Sequence, residues 1–178
     1  RVEIQMGTMG KALGALGGFI AGSFHLIEYL KHRARSLVFS TAPSPVVCGA
    51  AMAAVELLQT QEGQRQRERL HLNIRTFQGA IPPKWRSGGA QDGAMGWLHP
   101  GNLATPIMAW MAGSTQGSLD LSSSLAEHGF WVPAIRYPTV SRNGARLRVS
   151  LSAAHSPHVV EDLATRLVET SASYCSPS

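Results

Sequence analysis

Apolar and polar residues alternate over residues 1–6, with Val2, Ile4 and Met6 on one side, which is the period of a short strand. Gly7-Thr8-Met9-Gly10-Lys11 comes next as a turn. Residues 12–22 are too rich in glycine for a stable helix, since each glycine costs about 1 kcal/mol relative to alanine. They predict a loop feeding a buried strand over residues 18–22. Leu26, Ile27 and Leu30 fall at helical spacing within residues 24–32, and Leu37-Val38-Phe39 reads as a brief extended run. Ser44-Pro45 predicts a helix start, a side-chain cap followed by proline at the first helical position. Val47, Ala50, Ala51, Ala54, Val55 and Leu58 then line one face until about Gln61. Gly63 marks a break, and a more polar helix with Leu70, Ile74 and Phe77 on its apolar side runs to about Phe77.

Residues 79–101 hold six glycines and three prolines, the clearest domain boundary or irregular connection in the chain. Beyond it the pattern predicts a strand over 105–111, a helix over 117–128 ended by Gly129, and a strand over 130–135. Leu147, Val149 and Leu151 alternate along a third strand, and Ser156-Pro157 caps a final helix carrying Val160, Leu163 and Leu167. Strand, helix, strand, strand, helix makes a small α/β unit. No internal repeat is apparent.

Composition narrows the class. With 178 residues, 44% of them hydrophobic and 15% charged, the chain can build a core and is not disordered by composition. The uncharged stretch 12–24 contains four glycines and is too short to span a bilayer, so no membrane role is expected. Cys48 and Cys175 can pair at most once, which excludes a disulfide scaffold and fits a reducing, cytoplasmic setting. The net charge of +5 invites a nucleic-acid reading. Arg65, Arg67, Arg69 and Arg75, however, are interleaved with Glu62, Glu68 and glutamines and lack aromatic neighbours, the pattern of a solvated helix face. The chain opens on Arg1 with no visible signal peptide, and is expected to be part of a longer one.

Three constellations have chemical potential. Lys11 lies after a strand among glycines, where a lysine is either a solvated loop residue or an amine suited to imine formation with a carbonyl. Its loop is not a Walker A loop, because Ala12 takes the Ser/Thr position and Gln5 that of the first glycine. Arg146 and Arg148 share a strand face opposite Leu147 and Val149, either as an exposed surface or as a carboxylate clamp, and Arg136 lies nearby in sequence. Ser40-Thr41 before Pro43 are turn residues or hydroxyl donors to an anion. His155 and His158 have no carboxylate or cysteine cluster beside them, so no metal site is expected.

Read together, the blocks Gly7-Thr8-Met9-Gly10-Lys11-Ala12-Leu13-Gly14 with Gly17-Gly18, and Arg35-Ser36-Leu37-Val38-Phe39-Ser40-Thr41-Ala42, resemble the α-oxoamine synthases. So do Ala134-Ile135-Arg136-Tyr137-Pro138-Thr139-Val140 and the block from Arg146 to the Leu-Ser-Ala-Ala-His ending at His155. These are pyridoxal-phosphate enzymes of the aminotransferase fold type I. The resemblance implies an α/β fold in which residues 1–80 are the end of the large cofactor-binding domain and residues 81–178 the small C-terminal α/β domain.

It further implies that Lys11 holds pyridoxal 5'-phosphate as a Schiff base and serves as the catalytic base. Thr8 would bond the cofactor phosphate, and Thr41 would reach the phosphate of the neighbouring subunit of a homodimer. Arg148 would hold the amino-acid carboxylate, and Thr139 would contact substrate. The last two blocks look most like the branch that condenses L-alanine with a pimeloyl thioester, carried on coenzyme A or acyl carrier protein, with loss of carbon dioxide. The alternatives are another branch of the family (the 5-aminolevulinate, 2-amino-3-ketobutyrate or serine palmitoyl type) or a non-catalytic interaction subunit. The family's ring-stacking His and the Asp paired to the pyridine nitrogen belong upstream of Arg1, so this stretch is expected to carry the lysine and the carboxylate clamp without the whole site.

Overall fold

The computed structural model describes residues 2–86, 95–98 and 105–175. The chain forms two compact units, Arg1–Arg65 and Gln66–Ser178. The division falls inside a helix, and the glycine-rich stretch 79–101 belongs to the second unit; Gly88-Gly89 lie outside the described residues.

The first unit opens with a hairpin of β1 (Gln5–Thr8) and β2 (Gly18–Ala21), antiparallel, with Gln5 opposite Ala21 and Thr8 opposite Gly18. Every residue of β2 is exposed, against the expectation of a buried strand. Low polarity was the only sign of burial there, and β2 pairs with β1 alone in a two-stranded ribbon. Helix α1 (Phe24–Arg33) is capped by Ser23, whose hydroxyl accepts from the Leu26 amide at 3.3 Å.

The expected extended run at Leu37-Val38-Phe39 is instead the short helix α2 (Arg35–Val38). The Phe39 amide donates to the Arg35 carbonyl at 3.1 Å, and the Arg35 guanidinium lies 5.7 Å from the Phe39 ring centre one turn away, so local bonding overrides the apolar run. Helix α3 (Pro45–Gln59) starts with proline in its first turn as expected, but the Ser44 side chain makes no cap bond. Its face expected to be apolar and packed buries only Ala51. The break before α4 (Gln61–Ala80) falls at Thr60, not Gly63. Gly63 sits in the first turn of α4, where a Cβ would collide with the Leu57 carbonyl, so glycine permits the close junction of the two helices.

The second unit contains the rest of α4, the short α5 (Pro83–Arg86), β3 (Met95–Leu98), β4 (Ile107–Ala112), α6 (Thr115–Glu127), β5 (Ala134–Ile135), β6 (Arg146–Ser150) and α7 (Pro157–Cys175). Neither α5 nor β3 is legible in the irregular composition of its stretch. The four strands form an antiparallel sheet in the order β3-β4-β6-β5. The expected strand over 130–135 pairs only at Ala134 and Ile135.

Leu147 and Val149 of β6 alternate with Arg146 and Arg148, and Met108 and Trp110 of β4 face the same side as Leu147 and Val149 across the ladder. That side is sealed: Phe77, Trp110, Leu121, Leu147 and Leu167 are fully buried in one cluster drawn from α4, α6, α7 and the sheet. Trp110 donates to the Ser171 hydroxyl at 2.9 Å inside the core and stacks on Trp85, 5.8 Å between ring centres. Arg86 covers the end of α4, donating to the carbonyls of Ile81 at 2.6 Å and Gly79 at 3.0 Å. Gly129, at φ +86°, ends α6 as expected.

Phe77 provides a test of this core. Phe77→Ala should lower the unfolding free energy by about 3–5 kcal/mol in chemical denaturation. Leu72→Ala, on the exposed side of the same helix, should cost far less. Equal losses would mean that α4 does not pack as described.

Candidate active site

The loop between β1 and β2 is built to present a lysine. Met9 donates to Gly17 at 2.9 Å and Ala15 to Met9 at 2.9 Å, closing the neck, and Gly14 donates to Lys11 at 3.1 Å to form the tip. Gly14 and Gly17 take φ of +61° and +93°, conformations that L side chains adopt at a cost, which accounts for the glycines around Lys11. Ala15 turns inward and is buried, while Lys11 points outward and is exposed. The Lys11 ammonium has no hydrogen-bond or ion-pair partner among the described residues. Its loop neighbour Thr8 is the last residue of β1, with its hydroxyl 3.5 Å from the Gly17 carbonyl and accepting from the Gly10 amide at 3.3 Å. Thr8 and Lys11 thus lie on one short loop, a hydroxyl and an unpaired primary amine. Thr41 is exposed in the segment between α2 and α3, in the same unit.

A cavity of about 840 Å³ in this unit is lined by Glu3, Gln5, Gly22 and Leu26 among others. It lies at the open end of the hairpin, away from the loop that carries Lys11.

In the second unit the strand alternation that buries Leu147 and Val149 turns Arg146 and Arg148 to the opposite face, where they stand across from Met111 and Ala109. Spacing alone left the two arginines equivalent; their surroundings separate them. Arg146 is half-buried and its Nε donates to the Gly144 carbonyl at 2.6 Å. Arg148 is exposed, and its guanidinium has no partner among the described residues, while its backbone amide is fixed on Pro133 at 3.0 Å. The free five-donor fork is Arg148. Residue Arg148 is among those lining a groove of about 390 Å³, with Phe130, Trp131, Val149, His155 and Leu163. Thr139 is exposed in a turn where its amide donates to the Arg136 carbonyl at 2.9 Å, and Arg136 is exposed beside it. Among the described residues no group of three or more His, Cys, Asp or Glu side chains is placed to hold a metal ion, and Cys48 is free and exposed.

One residue was missed by sequence reasoning. Asn73 lies on the buried stripe of α4, between Leu70 and Ile74, and is 1% exposed. It donates to the carbonyls of Ser152 and His155, each at 2.9 Å. The signal was a single amide on an otherwise apolar helix face.

The aminotransferase class I and II family matches residues 1–167 of this chain. The chain belongs to that family. Pyridoxal phosphate is the cofactor of its fold, and an unpaired lysine on a glycine-shaped loop beside a threonine hydroxyl is a donor set that fits an aldehyde bearing a phosphate. Within this aminotransferase family the chain is 41% identical over 168 residues to a Methylococcus capsulatus protein named 8-amino-7-oxononanoate synthase, covering 94% of this chain and 40% of that protein. A protein of the same name from Anaeromyxobacter dehalogenans is 40% identical over 169 residues, covering 95% and 39%. The chain therefore spans about two fifths of the length of these curated relatives. Among solved structures, Sphingomonas wittichii serine palmitoyltransferase superposes with a TM-score of 0.79 at 24% identity, covering 97% of this chain and 40% of that one. The Francisella tularensis 8-amino-7-oxononanoate synthase gives 0.73 at 23%, covering 96% and 46%. These likenesses establish the α/β fold of the pyridoxal-phosphate fold-type I enzymes.

Proposed function

We propose that this chain is the lysine- and arginine-bearing part of a pyridoxal-phosphate-dependent C-acyltransferase. The reaction is the condensation of L-alanine with a pimeloyl thioester, releasing the thiol carrier and carbon dioxide to give 8-amino-7-oxononanoate, a step of biotin biosynthesis. The observation that carries this reading is the 41% identity, over 94% of the chain, to a protein of that name. The exposed, unpartnered Lys11 and Arg148 agree with it. In this reading the working form is a homodimer in the cytoplasm.

When bound, the cofactor supplies an electron sink for the bond broken at the amino acid's α-carbon. The rest is done by side chains. Lys11 would hold the cofactor through Nζ, and as a free amine it would take the α-proton of L-alanine and keep it as an ammonium. Thr8 would donate its hydroxyl to the cofactor phosphate, and Thr41 would do the same for the phosphate held by the neighbouring subunit. Arg148 would grip the alanine carboxylate with two parallel N–H bonds and so fix the rotation about the α-carbon. Thr139 contacts the substrate from the turn after β5. Arg146 keeps its bond to Gly144 and shapes the turn leading into β6.

Two measurements test this. The intact protein should be yellow, and Lys11→Ala should abolish the pyridoxal label trapped by borohydride; a label persisting on another lysine would sink the assignment. Arg148→Ala should weaken L-alanine binding by about 30- to several-thousand-fold, the equivalent of roughly 2–5 kcal/mol for truncating a desolvated charge pair, with the bound-cofactor spectrum unchanged. Arg148→Lys should recover only part of the loss, because an ammonium keeps the charge without the planar fork. A greater loss of alanine affinity in Arg146→Ala than in Arg148→Ala would contradict the reading.

A further inference from the structure

The guanidinium of Arg148 has no protein partner among the described residues, so the strand beneath it must set its position. On one side β6 is held by β4, and the ladder continues just past it, where the Leu151 amide donates to Pro106 at 2.8 Å. On the other side the support is short. Only Ala134 and Ile135 pair with it, together with the bond from the Arg148 amide to Pro133. Beyond β6 the chain enters the turn Ser152-Ala153-Ala154-His155. It is closed by His155 donating to the Ser152 carbonyl at 3.2 Å, Ala154 to the Ser152 hydroxyl at 3.2 Å, and Ser152 to His155 Nδ1 at 3.3 Å.

That turn is exposed and carries little apolar surface of its own. It is tied to the core by Asn73, which reaches out of the buried face of α4 and gives both amide protons to the two ends of the turn, the Ser152 and His155 carbonyls. Both bonds are 2.9 Å long and span about 80 residues of sequence, |i−j| being 79 and 82. A buried amide satisfied in this way is a rigid two-point clamp. The clamped turn begins two residues past the end of β6, four residues on from Arg148, so the clamp fixes the end of the strand from which the fork of Arg148 projects.

We propose that Asn73 is a positioning residue for Arg148: it clamps the turn after β6 and thereby holds in place the end of the strand that presents the guanidinium to the substrate carboxylate. The inference rests on the reading that Arg148 holds the alanine carboxylate.

The test uses the intact, pyridoxal-phosphate-loaded enzyme, with L-alanine affinity read from the change in cofactor absorbance and with separate KM values for L-alanine and the acyl thioester. Asn73→Leu keeps the volume and removes both donors; Asn73→Asp keeps the shape and sets oxygen against two carbonyls. Either should weaken L-alanine binding about 10- to 100-fold, the scale of a displacement near 1 Å at a binding group, while the thioester KM and the starting spectrum stay put. In an Arg148→Ala background the same substitutions should cost nothing more, because the clamp acts through that arginine. A purely structural amide would not show this dependence. A folded Asn73 variant with normal alanine affinity, an additive loss in the double variant, or failure of both variants to fold would overturn the clamp while Arg148→Ala still shows its own effect. An Arg148→Ala enzyme that binds L-alanine normally would overturn the underlying reading, and the clamp with it.

Discussion

A sheet whose one face is sealed by helices, among the described residues, is the constraint on which the second unit depends. Strand alternation sends every other side chain to opposite faces, and the helices α4, α6 and α7 seal the face holding Leu147, Val149, Met108 and Trp110. The same alternation places Arg146 and Arg148 on the other face without further instruction. A one-residue slip of β6 would bury two guanidinium groups and expose two core residues, so the packing that stabilises the unit also specifies where its charge stands. Trp110 shows how closely the buried side is specified. Its ring stacks on Trp85, and its one polar atom is satisfied by Ser171 from the last helix.

The first unit has the opposite character. Its chemistry is local, confined to a loop whose glycines set the backbone and whose lysine is held away from every described partner. Its apolar residues are largely uncovered by the unit itself: Val2, Met6, Leu16, Phe24, Phe39 and Val46 are all more than half exposed. Apolar area of this extent on one unit is the mark of a surface that packs against something else in the working protein. The curated relatives, of which this chain spans about two fifths, are larger proteins in which such a surface has more chain to meet.

Helices with a clean apolar stripe were legible from the sequence. Ile74 and Phe77 on α4, Val160, Leu163 and Leu167 on α7, and the glycine stop after α6 all lie as the spacing predicts. Segments without a periodic signal were not. Leu37 and Val38 are helical through bonds that composition does not encode, and the low polarity of β2 does not say what covers a strand, which here is exposed. For the site, the residues themselves leave Lys11 as either a solvated loop lysine or an imine-forming amine and leave Arg146 and Arg148 as equals, and the resemblance decides both. The free fork of Arg148 becomes visible only when Arg146 is seen to spend its own donor on Gly144. Thr8, Thr41 and Thr139 carry no distinguishing pattern as isolated threonines, and their roles come from resemblance. Asn73 was hidden for another reason: its partners lie about 80 residues away, beyond any local pattern.

The most direct test of the account is a crystal structure of the intact, cofactor-loaded protein with L-alanine bound. The free arginine on the open face predicts two parallel N–H···O bonds of about 2.7–2.9 Å from Arg148 to the alanine carboxylate, with Arg146 still bonded to Gly144. A carboxylate held by Arg136 or Arg146, with Arg148 turned to solvent, would contradict it.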